Sequence, residues 1–165
     1  MPRVSLLLIV LACTQQPQAR FGQPTPVQPT SPQSVSDSIV AAVLYHVVTH
    51  GLPDFHPIGG LRTIVVRNDS DIVSSASIPS VDSVGFVLLD SIDVQRLANR
   101  IGHVNVIGVG RPIVQDDTAH AGATSHVVWR PERLGRMVSM SACMFRVRRT
   151  NARWQVDSTL MCIIS

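Results

Sequence analysis

RMVSMSACMFRVRRTNARWQVDSTLMCIIS, residues 136–165, closes the chain and decides its architecture. Period-2 reading puts Met137, Ser139, Ser141, Cys143, Phe145 and Val147 on one face and leaves Arg146 and Arg148 on the other. Beyond Asn151-Ala152, the residues Trp154, Val156, Leu160, Cys162 and Ile164 again share a face. Two strands joined by a tight turn are the simplest reading. With the turn at Asn151-Ala152, positions whose numbers sum to 303 oppose each other. Val147 then meets Val156, Phe145 meets Ser158 and Cys143 meets Leu160.

Working outward, HVNVIGVGRPIVQ (103–115) and AHAGATSHVVW (119–129) read as two further long strands. Asp116-Asp117-Thr118 turns between them, and RPERLG (130–135) leads back to the hairpin. Such strands exceed the usual five or six residues, and long antiparallel strands twist and curl. A four-stranded C-terminal meander results. Upstream, RTIVVRNDS (62–70) and VGFVLLD (84–90) also read as strands, separated by a Ser-rich loop.

Two helices precede the meander. In the first, Ser36 or Ser38 can cap and Asp37 suits the positive end of the dipole. Ile39, Val40, Val43, Leu44, Val47 and Val48 make its apolar stripe, with Gly51 and Pro53 as stop signals. In SIDVQRLANRIG, Ser91 caps, Val94, Leu97, Ala98 and Ile101 form the face, and Gly102 closes. The expected fold class is α+β, two N-terminal helices packed on the concave face of a curved, mostly antiparallel sheet.

The other end of the chain carries an address. Arg3 gives a positive start, and Val4 to Ala12 is a nine-residue, largely apolar run. That is too short to span a membrane and fits the apolar region of an export signal. Val10-Leu11-Ala12-Cys13 resembles the lipobox of bacterial lipoproteins. That resemblance implies cleavage before Cys13 and its acylation, with Leu11 a less usual residue at its position. Ordinary signal-peptidase cleavage after Ala12 is the competing reading. Several acyl chains anchor firmly because each buried methylene adds about 0.8 kcal/mol. Thr14 to Ser34 is rich in Pro and Gln and holds little to bury, the composition of an extended tether. The expected organisation is a signal over 1–12, Cys13 and its tether over 13–35, and one α+β domain over 36–165.

All fourteen basic residues are Arg, and the net charge is only +3. Apart from Arg146, Arg148 and Arg149 they are scattered, which argues against a nucleic-acid partner. The C-terminal half resembles a set of uncharacterised exported bacterial proteins and lipoproteins. Ile107 to Gly110, Asp116-Asp117-Thr118, Ala119 to Trp129 and Trp154-Gln155-Val156 carry that resemblance, about sixty residues in all. The order of elements also resembles NTF2-like and cystatin-like folds. Neither resemblance implies an activity or a cofactor.

Few constellations could carry chemistry. In an exported protein Cys143 and Cys162 invite a disulfide. The hairpin register sets Cys162 against Ser141, making the two thiols diagonal neighbours that need a twist or bulge to bond. Buried free thiols are the alternative. His46 and His50 stand at i, i+4, as on a metal-binding helix, with His56 or Asp54 as a third donor. The intervening Glu of a metalloprotease helix is missing, and two histidines flanking an apolar stripe are more often boundary residues. His120 and His126 share a strand face near Asp116 and Asp117, but six strand residues span ~20 Å, too far for one metal. GVGRP at 108–112 lacks the third glycine and the helix of a nucleotide loop.

The sequence therefore points to an exported envelope lipoprotein, anchored outside the cytoplasm through Cys13 or else secreted or periplasmic. No catalytic set, metal or cofactor is expected. Its domain would bind a small ligand or an envelope protein, with Ser139, Ser141 and Ser158 leaving room on the inner face or simply admitting a helix. The alternative is a small exported enzyme with a His-containing pocket.

Overall fold

The computed structural model describes residues 31–52, 63–131 and 140–165. Cys13, the tether as far as Thr30, Asp54, His56, Met137 and Ser139 lie outside them.

Helix α1 spans Pro32–His50. The Ser31 hydroxyl accepts from the Ser34 amide, and Pro32 takes the first helical position, where its missing N–H is no loss. The helix therefore starts ahead of Ser36 and Ser38. Gly51, at φ 83°, ends it in a backbone region that side chains disfavour. The stripe Ile39, Val40, Val43, Leu44, Val47 and Val48 is buried throughout.

Strand β1 (Thr63–Arg67) follows, then a short 3-10 turn (Ser75–Ser77), β2 (Gly85–Leu89) and helix α2 (Ser91–Ile101). The rest is sheet: β3 (His103–Val109), β4 (Ile113–Gln115), β5 (Thr118–Trp129), β6 (Met140–Thr150) and β7 (Arg153–Ile164). One seven-stranded sheet results, in the order β2-β1-β3-β5-β6-β7, with β4 also on β5. β1 pairs in parallel with both β2 and β3, and the other pairings are antiparallel.

The α+β class thus holds, but three features of the expectation are corrected. The sheet has seven strands rather than four. The second helix does not precede the sheet: it lies between β2 and β3 in the chain. Parallel neighbours cannot be joined by a tight turn, so the chain must cross over to reach β3. Nor do both helices cover one face. α1 packs with Ile64, Val66, Ile107, Val109, the alanines of β5 and Phe145. Val94 and Ala98 of α2 pack with Val65, Val104 and Val106 on the opposite face. Ile64-Val65-Val66 in β1 and Val106 to Val109 in β3 are continuous apolar runs because both sides of these strands are covered.

The two crossovers share one hand. Ile72, Val73, Ile78 and Val81, between β1 and β2, belong to the α1 side, whereas the β2-to-β3 connection runs through α2 on the other side. Reversing both the direction across the sheet and the face preserves the hand, as parallel crossovers require. Asp37 fastens the first crossover to α1. Its carboxylate accepts from the hydroxyls of Ser74 at 2.9 Å and of the fully buried Ser77 at 2.8 Å.

The terminal hairpin turns at Asn151 and Ala152, both in the left-handed region at φ 51° and 63°. Val147 opposes Val156 as the alternation implies. The register then departs from expectation: Phe145 meets Thr159 rather than Ser158, and Cys143 meets Cys162 rather than Leu160. From Val147 to Met144 β6 advances three residues, while from Val156 to Met161 β7 advances five. Asp157 and Leu160 are the two left without partners, one at each bulge. The bulges cancel in parity and add in register, so Cys162 keeps its expected face and moves from Ser141 to Cys143. The two sulfurs are bonded at 2.02 Å across a Cα–Cα distance of 4.1 Å.

Candidate functional site

His46 and His50 project from the last turns of α1 with their rings stacked, centroids 4.4 Å apart. Phe145 meets His46 edge-on at 5.3 Å. Thr49 Oγ1 lies 2.8 Å from His50 Nδ1. Burial first, and the neighbouring His50 second, hold the His46 pKa below the ordinary 6.5. The pair is a packed boundary of the core. Among the described residues, no cluster of three His, Cys, Asp or Glu is placed to hold a metal ion.

His120 and His126 do fall on one face of β5, opposite Arg146 and Met140 of β6 respectively. They are not brought together. His126 is instead half-buried beside Arg67, and burial followed by the Arg67 charge lowers its pKa from 6.5. Near it, at the carboxyl ends of β1 and β3, a 210 Å³ crevice is lined by Arg67, Asn68, Asp69, Gly108, Gly110 and Thr124 among others. Open α/β sheets commonly bind ligands in this position. Here the charges are spent on the fold. Arg67 Nε is 3.2 Å from Asp69, and Asp69 accepts from the amide and hydroxyl of Ser91 at 2.6 and 2.7 Å. Those bonds from Ser91, hydroxyl first, hold the Asp69 pKa low. The carboxylate thereby ties β1 to the start of α2.

Both lowered histidines make the same prediction about pH. Each binds a proton more weakly in the fold than in the unfolded chain. The unfolded state therefore takes up protons first, and stability falls as the pH drops below the ordinary imidazole value of 6.5. The loss ends at the lowered folded values, below which both states are charged. Urea midpoints measured between about pH 7.5 and 5.5 should decline, and the double variant H46Q/H126Q should flatten the decline. A decline unchanged in that variant would contradict the burial of these rings.

The inner face, read as leaving room for a ligand or simply admitting a helix, admits a helix. α1 occupies it, and Ser141, opposite Ser125, is fully buried there. Ser158 is half-buried. The residues left open are elsewhere. Met140 and Met144 on β6, with Met161 and Ile163 on β7, stand on the face opposite α1 and are 39–58 % exposed. Leu160 and Ile164 add a 48 % and a 57 % exposed side chain on the same strand. From Thr159 to Ser165 every residue is exposed. β7 is also an edge of the sheet, so one row of its backbone groups is unpaired by any described strand. Period-2 reading puts Leu160 and Ile164 on the inner face with Cys162 and gives Met140, Met144, Met161 and Ile163 no role. The one unusual sign in the sequence is the absence of any charge from Ser158 to Ser165.

At the same end, a 320 Å³ cavity lies between α2 and the first residues of β1 and β3. Leu97, Ile101, Ile64 and Val104 make it largely apolar, with His103 and Asn105 at its wall. Neither His46 nor His50 lines either cavity. No helix of the described residues is long and apolar enough to cross a membrane. No family model, no curated protein and no solved structure matches the chain.

Proposed function

We propose that this chain is a non-catalytic partner-binding domain, exported to the cell envelope and held there by an acylated Cys13 on a Pro/Gln-rich tether. The observation that carries the reading is the bare outer half of the β6–β7 hairpin, where Met140, Met144, Met161 and Ile163 are exposed on the face opposite α1, with Leu160 and Ile164 exposed on the other side of the same strand. A contiguous apolar surface of this kind marks an interaction site more often than solvent contact. Methionines suit it, because their flexible thioethers adapt to a partner's shape. The charge-free outer half of that edge, from Ser158 to Ser165, is the second support, since sheets that end in solvent usually guard their edges with charge. The enzyme alternative finds less support: of the two histidines on α1, His46 packs against Phe145 and His50 stacks on His46. Export rests on Arg3, the apolar run and the lipobox-like Val10 to Cys13.

Two measurements on the protein in its own cells test this. Mass spectrometry of the mature amino terminus should find acylated Cys13; an intact initiating Met1 would sink the export reading. A photoreactive side chain at position 161 should give one defined protein adduct, while the same group at the exposed Arg100 of α2 should not. Equal labelling from both positions, or none from 161, would overturn the binding surface.

A further inference from the structure

The edge of β7 is not uniform. Its first half is guarded by Arg153 and Asp157 and by the bulge at Asp157, with Asp157 in turn held by Arg146 at 2.7 and 2.6 Å. Charges and bulges are the devices that stop one sheet edge from adding to another. Beyond the second bulge, at Leu160, the guarding stops. Leu160-Met161-Cys162-Ile163-Ile164 is extended, uncharged and exposed.

Hydrogen-bond geometry tells which groups of this half face outward. Met140 and Ser165 exchange both backbone bonds, each at 3.0 Å. Antiparallel partners alternate, so Ile163 and Met161 also turn their amides toward β6. The N–H and C=O of Ile164 and Cys162 therefore point away from the sheet. Cys162 is fastened at the middle of the segment by its bond to Cys143. That fixes the strand before any partner arrives and lowers the ordering cost of pairing.

The segment is also its own complement. A second copy laid antiparallel about Cys162 would exchange two backbone bonds at Cys162 with Cys162 of that copy. Met161 would then face Ile163 across the join on one side of the sheet, and Leu160 would face Ile164 on the other. Every cross-strand pair is apolar and no like charges meet, which is the favourable case for strand pairing. Met140 and Met144 of each copy flank the join on the face opposite α1. Resting on the reading of this surface as a binding site, we infer that its partner is a second copy of this chain. The two join edge to edge through residues 160–164, with the two-fold axis at Cys162.

The test uses the full chain with Cys13→Ser, so that no other thiol links copies, and follows sedimentation at ~50 μM. The parent should be a dimer. M161E and I163K should each weaken the dimer about tenfold or more, since each buries a charge against an apolar side chain. Mixed together, the two variants should recover it, because the introduced carboxylate of one copy then faces the introduced ammonium of the other. Recovery is specific to the Cys162 axis: an axis at Ile163 would set the introduced ammonium against the unchanged Ile163 of the other copy and restore nothing. Circular dichroism matching the parent controls for folding. A monomeric parent overturns the second copy as partner and leaves the cellular adduct at position 161 to judge the binding surface separately. A dimer indifferent to both variants overturns this edge as its interface.

Discussion

Phe145→Ala will destabilise the domain by about 3–5 kcal/mol, the range for deleting a buried aromatic ring. The ring is 1 % exposed on the α1 face of β6. Its neighbours across the strands are Ala121 on β5 and Thr159 on β7. The cost belongs at the top of that range because the surroundings cannot close the hole. Ala119, Ala121 and Ala123 form a ladder of methyl groups on β5, and these have no rotamers with which to reach inward. The same ladder lets α1 approach closely enough for His46 to meet the Phe145 ring edge-on. Urea unfolding followed by far-ultraviolet dichroism measures the loss. The variant should also return the His46 pKa toward 6.5, because burial is the first cause of its lowering. A loss below about 1.5 kcal/mol would mean the ring is not in the core.

The second large effect follows from the disulfide. Replacing both Cys143 and Cys162 by serine should cost about 2–4 kcal/mol, given the loop of 19 residues that the bond closes. The loss should be concentrated in the outer half of β7. Trp154 and Val156 pack against the core and hold the first half. From Thr159 onward the strand relies on β6 backbone bonds and this one covalent tie, with every residue exposed. Limited proteolysis should therefore cut the variant between Thr159 and Ser165 well before the parent. Cleavage of both at equal rates would show that the bond does not hold this edge.

Much of the fold is legible in the sequence, and what is missed has physical causes. The stripe from Ile39 to Val48 names the buried face of α1 residue by residue, because a helix on a sheet has one wet side. Asp90 rather than Ser91 caps α2, a one-residue difference between two good capping types. The parallel β2-β1-β3 layer is harder to read. Its sign is the unbroken apolar run Ile64-Val65-Val66, which means cover on both faces, whereas alternation alone suggests one. The bulges at Asp157 and Leu160 escape period-2 reading altogether. Two single-residue insertions restore the alternation after the second, and Ser158 and Thr159 between them suit either face. The disulfide partner follows from that hidden shift. The open edge is missed for another reason. Leu160, Met161, Ile163 and Ile164 have core chemistry, and only the position of β7 at the end of the strand order leaves them in solvent.

Amide hydrogen exchange on the concentrated full chain, read residue by residue, tests the central claim most directly. Met161 and Ile163 should be protected by β6 alone, in the parent and in I163K alike at position 161. Cys162 and Ile164 turn outward, so they should be protected in the parent and lose that protection in I163K or on dilution. Free exchange at Cys162 and Ile164 in the concentrated parent, beside slow exchange at Met161 and Ile163, would contradict the edge-to-edge pairing.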